Sequence, residues 1–224
     1  MTLTFLGQSG FHVQIGEHSL LIDPFLSGNP LAQAKPDDFS PTHILLTHGH
    51  ADHYGDTETI AARSGATVVS SFEIAQYAAR KGLDAHGMNV GGAYAFPFGR
   101  VKFTPAWHSN SLPDGSYGGM PMGLVLEAAG KRVYHAGDTA LFGDMALLGR
   151  GGLDVALLPI GDNYTMGPDD ATEAIKLLKP KRVVPIHYNT FPPIEQDAEA
   201  FKRRAEAETD AEVVVLRPGE ALEL

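Results

Sequence analysis

The stretch Thr47-His48-Gly49-His50-Ala51-Asp52-His53 sets three imidazoles and a carboxylate on neighbouring positions. Imidazole nitrogen and carboxylate oxygen together suit zinc, manganese, iron or nickel. His48 and His50 can face one ion while Asp52 and His53 face another, at the roughly 3.5–4 Å separation of two-metal hydrolytic sites. A lone histidine is more often a surface or packed residue than a ligand. Four ligand-type side chains in the order HxHxDH, on a turn after a strand, are hard to explain that way. The chain has no cysteine, which excludes disulfides and thiolate ligands and leaves only N and O donors for a metal.

The elements that must hold these residues follow from the hydrophobic pattern. His43–Thr47 is an apolar run that reads as a buried strand. Gly49 permits a sharp turn, and a helical pattern begins near Gly55, so the four candidates hang from one strand-to-helix loop. Upstream, Thr2–Leu6 and Phe11–Ile15 alternate around the turn Gly7-Gln8-Ser9-Gly10, and Ser19–Asp23 reads as a buried strand, which makes a β-meander. Asp23 stands at that strand's end, before Pro24. It is either a turn residue or the acceptor for the second N–H of a ligating imidazole, and the nearby motif favours the second reading. Residues 25–41 read as a loop.

Further along, helices are expected over 56–63 and 72–81, with a strand at 66–70 between them. Val101–Trp107 leads to His108, and Pro105 predicts an edge strand or a broken one. Met122–Ala128 and Arg132–His135 form a hairpin that runs into Gly137-Asp138-Thr139. A short helix follows over Ala140–Leu148, then a strand over 154–160 and a helix opened by Pro168. Arg182–Ile186 is a strand running to His187, followed by a charged helix near Glu195–Glu208 and a last strand at Glu212–Leu216. His108, Asp138 and His187 could each be turn residues. Together they supply the missing ligands of a two-metal site. Every candidate lies at or just beyond the C-terminal end of a strand, where open α/β sheets place their ligands.

Ser109–Met120 is rich in Gly and Ser and reads as a lid, a substrate loop or a mobile connector. Asn163, Tyr164 and Thr165 are candidate substrate contacts, with Thr165 alternatively capping the helix at Pro168. His12, His18, His43, His86 and His135 read as packed, turn or supporting residues, His86 in a polar turn.

The two halves each place several strands first and strand–helix alternation later. This predicts an α/β fold with two mixed sheets packed together and helices outside, a four-layer αββα sandwich. The 224 residues fit one domain over 1–224, since no linker divides them. The formal charge of −10 argues against a nucleic-acid partner. The densest basic cluster, Lys202-Arg203-Arg204, is flanked by glutamates and reads as a solvated helix face. No apolar run reaches the ~18 residues of a membrane span, and the N-terminus starts as a strand without a charged leader. A soluble cytoplasmic protein is expected.

The order HxHxDH, then His108, Asp138 and His187, resembles the metallo-β-lactamase superfamily. With Leu21-Ile22-Asp23-Pro24-Phe25, Gly137-Asp138-Thr139 and Thr165-Met166-Gly167-Pro168, the chain is similar over nearly its full length to the UPF0173 metal-dependent hydrolases, near the ascorbate-6-phosphate lactonase group. The resemblance implies that His48, His50 and His108 bind one metal, that Asp52, His53 and His187 bind a second, and that Asp138 bridges them with a hydroxide. The cofactor implied is two divalent ions, zinc foremost, with manganese, iron or nickel open. The hydroxide would attack a carbonyl or phosphoryl centre of a small ester or lactone, phosphorylated or not, and Asp52 would orient it or pass on its proton. Many such relatives have histidine where this chain has Gln8, a departure that touches the neighbouring substrate contact and not the metal ligands. The alternatives are a phosphodiesterase or nuclease of the same fold, and a metal-dependent redox or binding module. A small-molecule substrate is the expected partner, and a homo-oligomer is left open.

Overall fold

The computed structural model describes residues 1–224. Strands β1 (Thr2–Gly7), β2 (Gly10–Ile15) and β3 (His18–Ile22) form the expected antiparallel meander. The chain then adds β4 (His43–Leu45), β5 (Thr67–Ser71) and β6 (Ala85–Met88) as parallel neighbours. Parallel neighbours need crossovers. The β3–β4 crossover holds only a 3-10 turn at Pro36–Asp38, helices α1 (Ala51–Tyr54) and α2 (Thr57–Ser64) lie between β4 and β5, and α3 (Phe72–Arg80) between β5 and β6.

The second sheet repeats this plan. β7 (Ala93–Phe96), β8 (Gly99–Pro105), β9 (Met122–Ala128) and β10 (Lys131–His135) pair antiparallel. After them β11 (Leu153–Pro159), β12 (Pro180–Ile186) and β13 (Glu212–Val213) pair parallel. Their crossovers hold α4 (Met145–Leu148), α5 (Pro168–Leu178) and α6 (Ala198–Glu208). The final strand β14 (Ala221–Glu223) returns to the first sheet and pairs with β1.

Alternation along the buried strands sorts side chains between layers. Phe11, Leu20 and Leu45 of the first sheet meet Phe103, Leu124, Val155 and Val184 of the second in one core. The alternate residues point outward under the helices, Ile44 and Leu46 onto Ile60 and Ile74, and Ala156 and Leu158 onto Ile175 and Phe201. Strands covered on both faces read as unbroken apolar runs. The result is the four-layer αββα sandwich. No helix is long and apolar enough to cross a membrane.

Several local expectations are corrected. β8 is not an edge strand, because β7 pairs outside it and Pro105 takes the last register position, opposite Met122, where the ladder ends. His86 lies on β6 rather than in a turn. The helix expected over Ala140–Leu148 forms only from Met145, after Gly143. α6 starts at Ala198, where the Asp197 carboxylate accepts from the Ala200 amide at 2.9 Å, and the preceding prolines hold a 3-10 turn over Pro192–Ile194. β14 was not expected from its short polar sequence.

The join between α1 and α2 fixes the motif to the end of β3. Gly55 sits at φ 47° and ψ −128°, a conformation open only to glycine. The Pro24 carbonyl there accepts from the Asp56 amide at 2.9 Å, and a Cβ on Gly55 would collide with that carbonyl. Gly55→Ala is therefore expected to destabilise the fold by about 2 kcal/mol or more, the sum of backbone strain and overpacking. An unfolding midpoint unchanged from wild type would refute this.

Candidate metal centre

The seven candidate ligands all gather at one end of the sandwich, beyond the C-terminal ends of β4, β8, β10 and β12. His48 and His50 follow β4, and His50, in extended conformation, is the N-cap of α1. Asp52 and His53 are therefore on a helical turn, not on the loop that the sequence suggested. Successive residues of a helix diverge by about 100°, which turns Asp52 and His53 away from the pair before them. The nitrogens of His48, His50 and His108 form one group, and the ligand atoms of Asp52, His53, Asp138 and His187 form another, with all atoms of each group within 4.8 Å of one another. Asp138 lies between the groups. Its Oδ2 is 3.0 Å from His187 Nε2, 3.5 Å from His108 Nε2 and 4.0 Å from His48 Nε2, while Oδ1 is 3.2 Å from His53 Nε2.

Asp23 sets the direction of two of these rings. Its carboxylate accepts from the Thr47 amide at 2.8 Å, from the Thr47 hydroxyl at 2.6 Å and from His53 Nδ1 at 2.7 Å. Because the Thr47 proton is committed to Asp23, its oxygen accepts from His48 Nδ1 at 3.1 Å. Both imidazoles thus keep a proton on Nδ1, which leaves Nε2 as the nitrogen that ligates once any proton there is displaced.

Those nitrogens provide the test of whether a metal fits. His53 Nε2 faces Asp138 Oδ1, both are buried, and neither has a hydrogen-bond partner. His48 Nε2 lies 3.0 Å from His50 Nδ1, and His50 turns its other nitrogen toward Ser109 Oγ at 3.4 Å. The His48–His50 contact is a hydrogen bond, whereas the His53 and Asp138 atoms need a shared cation between them, a proton or a metal ion. The residues fit metal ions.

The electrostatics agree. Burial pulls the His53 pKa down, but the carboxylates of Asp138, Asp52 and Asp23 outweigh it and hold it well above the usual imidazole value. Burial likewise opposes protonation of His187, yet Asp138 and Asp52 push its pKa up to about 9. Burial would raise the Asp138 carboxyl, but His187 and His53 keep it well below the usual carboxylate range. This half of the site attracts positive charge. In the other half, burial lowers the pKa values of His48, His50 and His108, which leaves neutral imidazoles suited to ligation.

Gln8, expected beside the substrate, and Asn110, which the sequence did not single out, complete the support. Gln8 is buried rather than facing substrate, and its Nε2 donates to Asp52 Oδ2 at 2.9 Å while its backbone carbonyl accepts from the His187 amide at 2.7 Å. A side-chain N–H of histidine could make the same donation, which is the physical sense of the exchange at this position. Gln8, Asp23 and His187 all hold left-handed φ angles of 55°, 44° and 55°, strain of about 1–3 kcal/mol each that functional sites tend to concentrate. Asn110 fastens the segment Ser109–Met120 to the motif. Its Oδ1 accepts from the Gly49 amide at 2.7 Å, and its Nδ2 donates to the carbonyls of Gly118 and Gly119. That segment is a packed loop with Leu112 buried and Ser111 bridged to Tyr117, not a loose connector. A polar residue beside a ligand was the only sequence signal for Asn110.

The site opens into a cleft of about 520 Å³ walled by Phe25, Ser109, Tyr164 and Phe191 together with exposed edges of the ligands. Of the three proposed substrate contacts, Tyr164 lines it. Asn163 and Thr165 do not, and Thr165 donates to the Met166 carbonyl rather than capping α5, whose N-cap is Gly167. A wider groove of about 800 Å³ lies at the far end of the second sheet, but it contains no histidine. Its Arg100, Arg132 and Lys181 are already paired with Glu127 and Asp154. His135 is packed as expected, donating to the Ser9 carbonyl at 2.8 Å and accepting from the Gly137 amide at 3.0 Å, which shapes the turn bearing Asp138. His18, His43 and His86 pack on Phe96, Phe98 and Tyr94, outside the cleft.

Asp23→Asn tests the orienting role. One amide oxygen can serve the Thr47 amide, but the NH₂ then opposes two donors, Thr47 Oγ1 and His53 Nδ1. Metal affinity should fall about 10–100-fold with the fold intact, measured by titration against a chelator; wild-type affinity would remove Asp23 from this role.

Comparison with known proteins agrees with the geometry. A family model described as a beta-lactamase superfamily domain matches residues 18–188. A UPF0173 metal-dependent hydrolase of Thermus thermophilus is 56% identical over 220 residues, covering 98% of this chain and 97% of the relative. Another, from Pelotomaculum thermopropionicum, is 54% identical over 229 residues and is covered in full, as is this chain. Among solved structures, Igni18, a metallo hydrolase from the hyperthermophilic archaeon Ignicoccus hospitalis, superposes with a TM-score of 0.91 at 41% identity, covering 100% of this chain and 98% of that one. With the strand order, the HxHxDH turn and the three later ligand positions all in place, the chain belongs to the metallo-β-lactamase superfamily and, within it, to the UPF0173 metal-dependent hydrolases.

Proposed function

We propose that this hydrolase is binuclear and cleaves a small ester or lactone. His48, His50 and His108 hold one cation, Asp52, His53 and His187 hold the other, and Asp138 is shared. The observation that carries this reading is the convergence of two ligand groups on Asp138, with buried His53 Nε2 and Asp138 Oδ1 facing each other without a hydrogen-bond partner. All-N/O donor sets of three or four groups suit zinc first, with manganese, iron and nickel open to the same donors. Bound there, two divalent ions supply a water of lowered pKa and polarise the scissile group.

The chain's own residues do the rest. Asp138 and Asp52 balance the cationic charge. Asp52 lines the cleft, and its Oδ2 is held by Gln8, so its carboxylate is positioned to orient the attacking water or to carry a proton to the leaving group. A phosphodiesterase or nuclease reading draws no support, since no lysine or arginine lines the cleft.

Asp138→Ala should lose bound metal and at least about 10³-fold in hydrolysis while circular dichroism stays native; full metal content in this variant would overturn the shared-ligand assignment. Metal uptake should also be linked to pH. His187, with its pKa raised to about 9, is protonated at pH 7 in the absence of metal, so binding must displace that proton. His53, whose pKa is also raised, adds a second proton to displace, so apparent affinity should rise with pH by up to about tenfold per unit for each proton displaced. Calorimetry in buffers of different ionisation enthalpy should register proton release, and pH-independent uptake would contradict this.

A further inference from the structure

We infer, on the hydrolase reading above, that the substrate is uncharged away from its reacting carbonyl and seats a ring-sized apolar group against Phe25, Phe191 and Tyr164. The three aromatics arrive on three separate loops. Phe25 follows Asp23 after β3, Tyr164 lies beyond β11, and Phe191 follows His187 after β12. All three line the cleft, with the ring centroids of Phe25 and Phe191 6.4 Å apart. His50, His108 and Ser109 line it as well, so the cleft presents both an apolar and a polar lining.

Both phenylalanines stand on pinned backbone. The Asp56 carboxylate accepts from the amides of Leu26 and Ser27 at 2.9 and 2.8 Å, and Asn29 donates to the Phe25 carbonyl at 3.0 Å. Beside Phe191, Asn189 donates to the Gln196 carbonyl at 3.1 Å and accepts from its amide at 2.7 Å, while the Asn189 amide donates to the Ile194 carbonyl at 2.9 Å. An apolar surface held in place before binding is the usual form of a small-molecule site.

Charge makes the complementary argument. Apart from the histidines of the two ligand groups, the only titratable side chains of the cleft that carry charge are Asp52 and Asp138, and no lysine or arginine joins them. A phosphate or carboxylate remote from the reacting carbonyl would find no guanidinium or ammonium to receive it. It would instead meet the electron-rich faces of the aromatic rings. A phenyl or alkyl group in the same place would gain burial and stacking.

Three γ-lactones distinguish these cases: one bearing a phenyl group, one unsubstituted and one bearing a phosphomethyl group. With zinc-loaded protein, kcat/KM should fall in that order, by at least about 100-fold from first to last. Phe25→Ala and Phe191→Ala should lower kcat/KM for the phenyl lactone about tenfold or more, mainly through KM, and narrow its lead over the unsubstituted one. Phe191→Arg should improve relative use of the phosphomethyl lactone. Equal losses on all three lactones in the alanine variants, or a wild-type preference for the phosphomethyl lactone, would overturn the proposal. Calorimetric binding of the same lactones to the chelator-stripped protein gives a readout without turnover. There the phenyl lactone should bind at least about tenfold more tightly than the phosphomethyl one, and the reverse order would overturn the proposal. Zinc-loaded protein that binds the phenyl lactone selectively but hydrolyses neither lactones nor p-nitrophenyl acetate would refute the hydrolase reading and leave the pocket assignment standing.

Discussion

The Asp23 carboxylate is the constraint on which the rest of this centre depends. It is fully buried, it accepts three hydrogen bonds, and through them it fixes a ring in each ligand group, His53 directly and His48 by way of Thr47. A buried carboxylate is tolerable only with its acceptor positions satisfied. Here the donors that satisfy it are the groups whose orientation the site requires. The same bonds that make Asp23 acceptable in the interior aim His48 Nε2 and His53 Nε2 into the two ligand groups.

The site is also a seam. Gln8, Asp23 and the HxHxDH turn come from the first sheet, and His108, Asp138 and His187 come from the second. Neither half contains a complete ligand group. The sheets are stitched at this end by backbone and side-chain hydrogen bonds: His187 to Gln8, Gly49 to Asn110, Met122 to Thr47 at 3.1 Å, and His135 to Ser9. Packing of the apolar faces brings the halves together, and these polar bonds set their registration at the point where ligand distances matter. Sheet stacking and site assembly are therefore one event, which explains why buried polar residues are concentrated at this end of an otherwise apolar interface.

Three residues in the left-handed region, Gln8, Asp23 and His187, mark the same seam. Each redirects the chain sharply as it leaves or enters a strand, and each presents a side chain or carbonyl that a regular strand end would aim elsewhere. The strain is offset by the burial and bonding around them. The cleft beyond is formed by loops that continue from these turns, so the residues that hold the cations and those that face substrate share the same short segments.

Much of this was legible in the amino-acid order. Ligand-type residues at strand ends, the absence of cysteine and the switch from meander to strand–helix alternation are local features, and local periodicity reports them faithfully. So is the two-faced burial of the central strands, visible as unbroken apolar runs such as His43–Thr47. What only the tertiary structure decided is convergence. That α1 begins inside the motif, that β8 is covered by β7, that Gln8 lies under Asp52, that Asn110 fastens a Gly- and Ser-rich segment to Gly49, and that Phe25, Tyr164 and Phe191 line one cleft all depend on contacts between residues far apart in the chain. Hydrophobic period and turn chemistry act over a few residues; the direction of a side chain at a site is settled by which distant donor or acceptor packing brings against it.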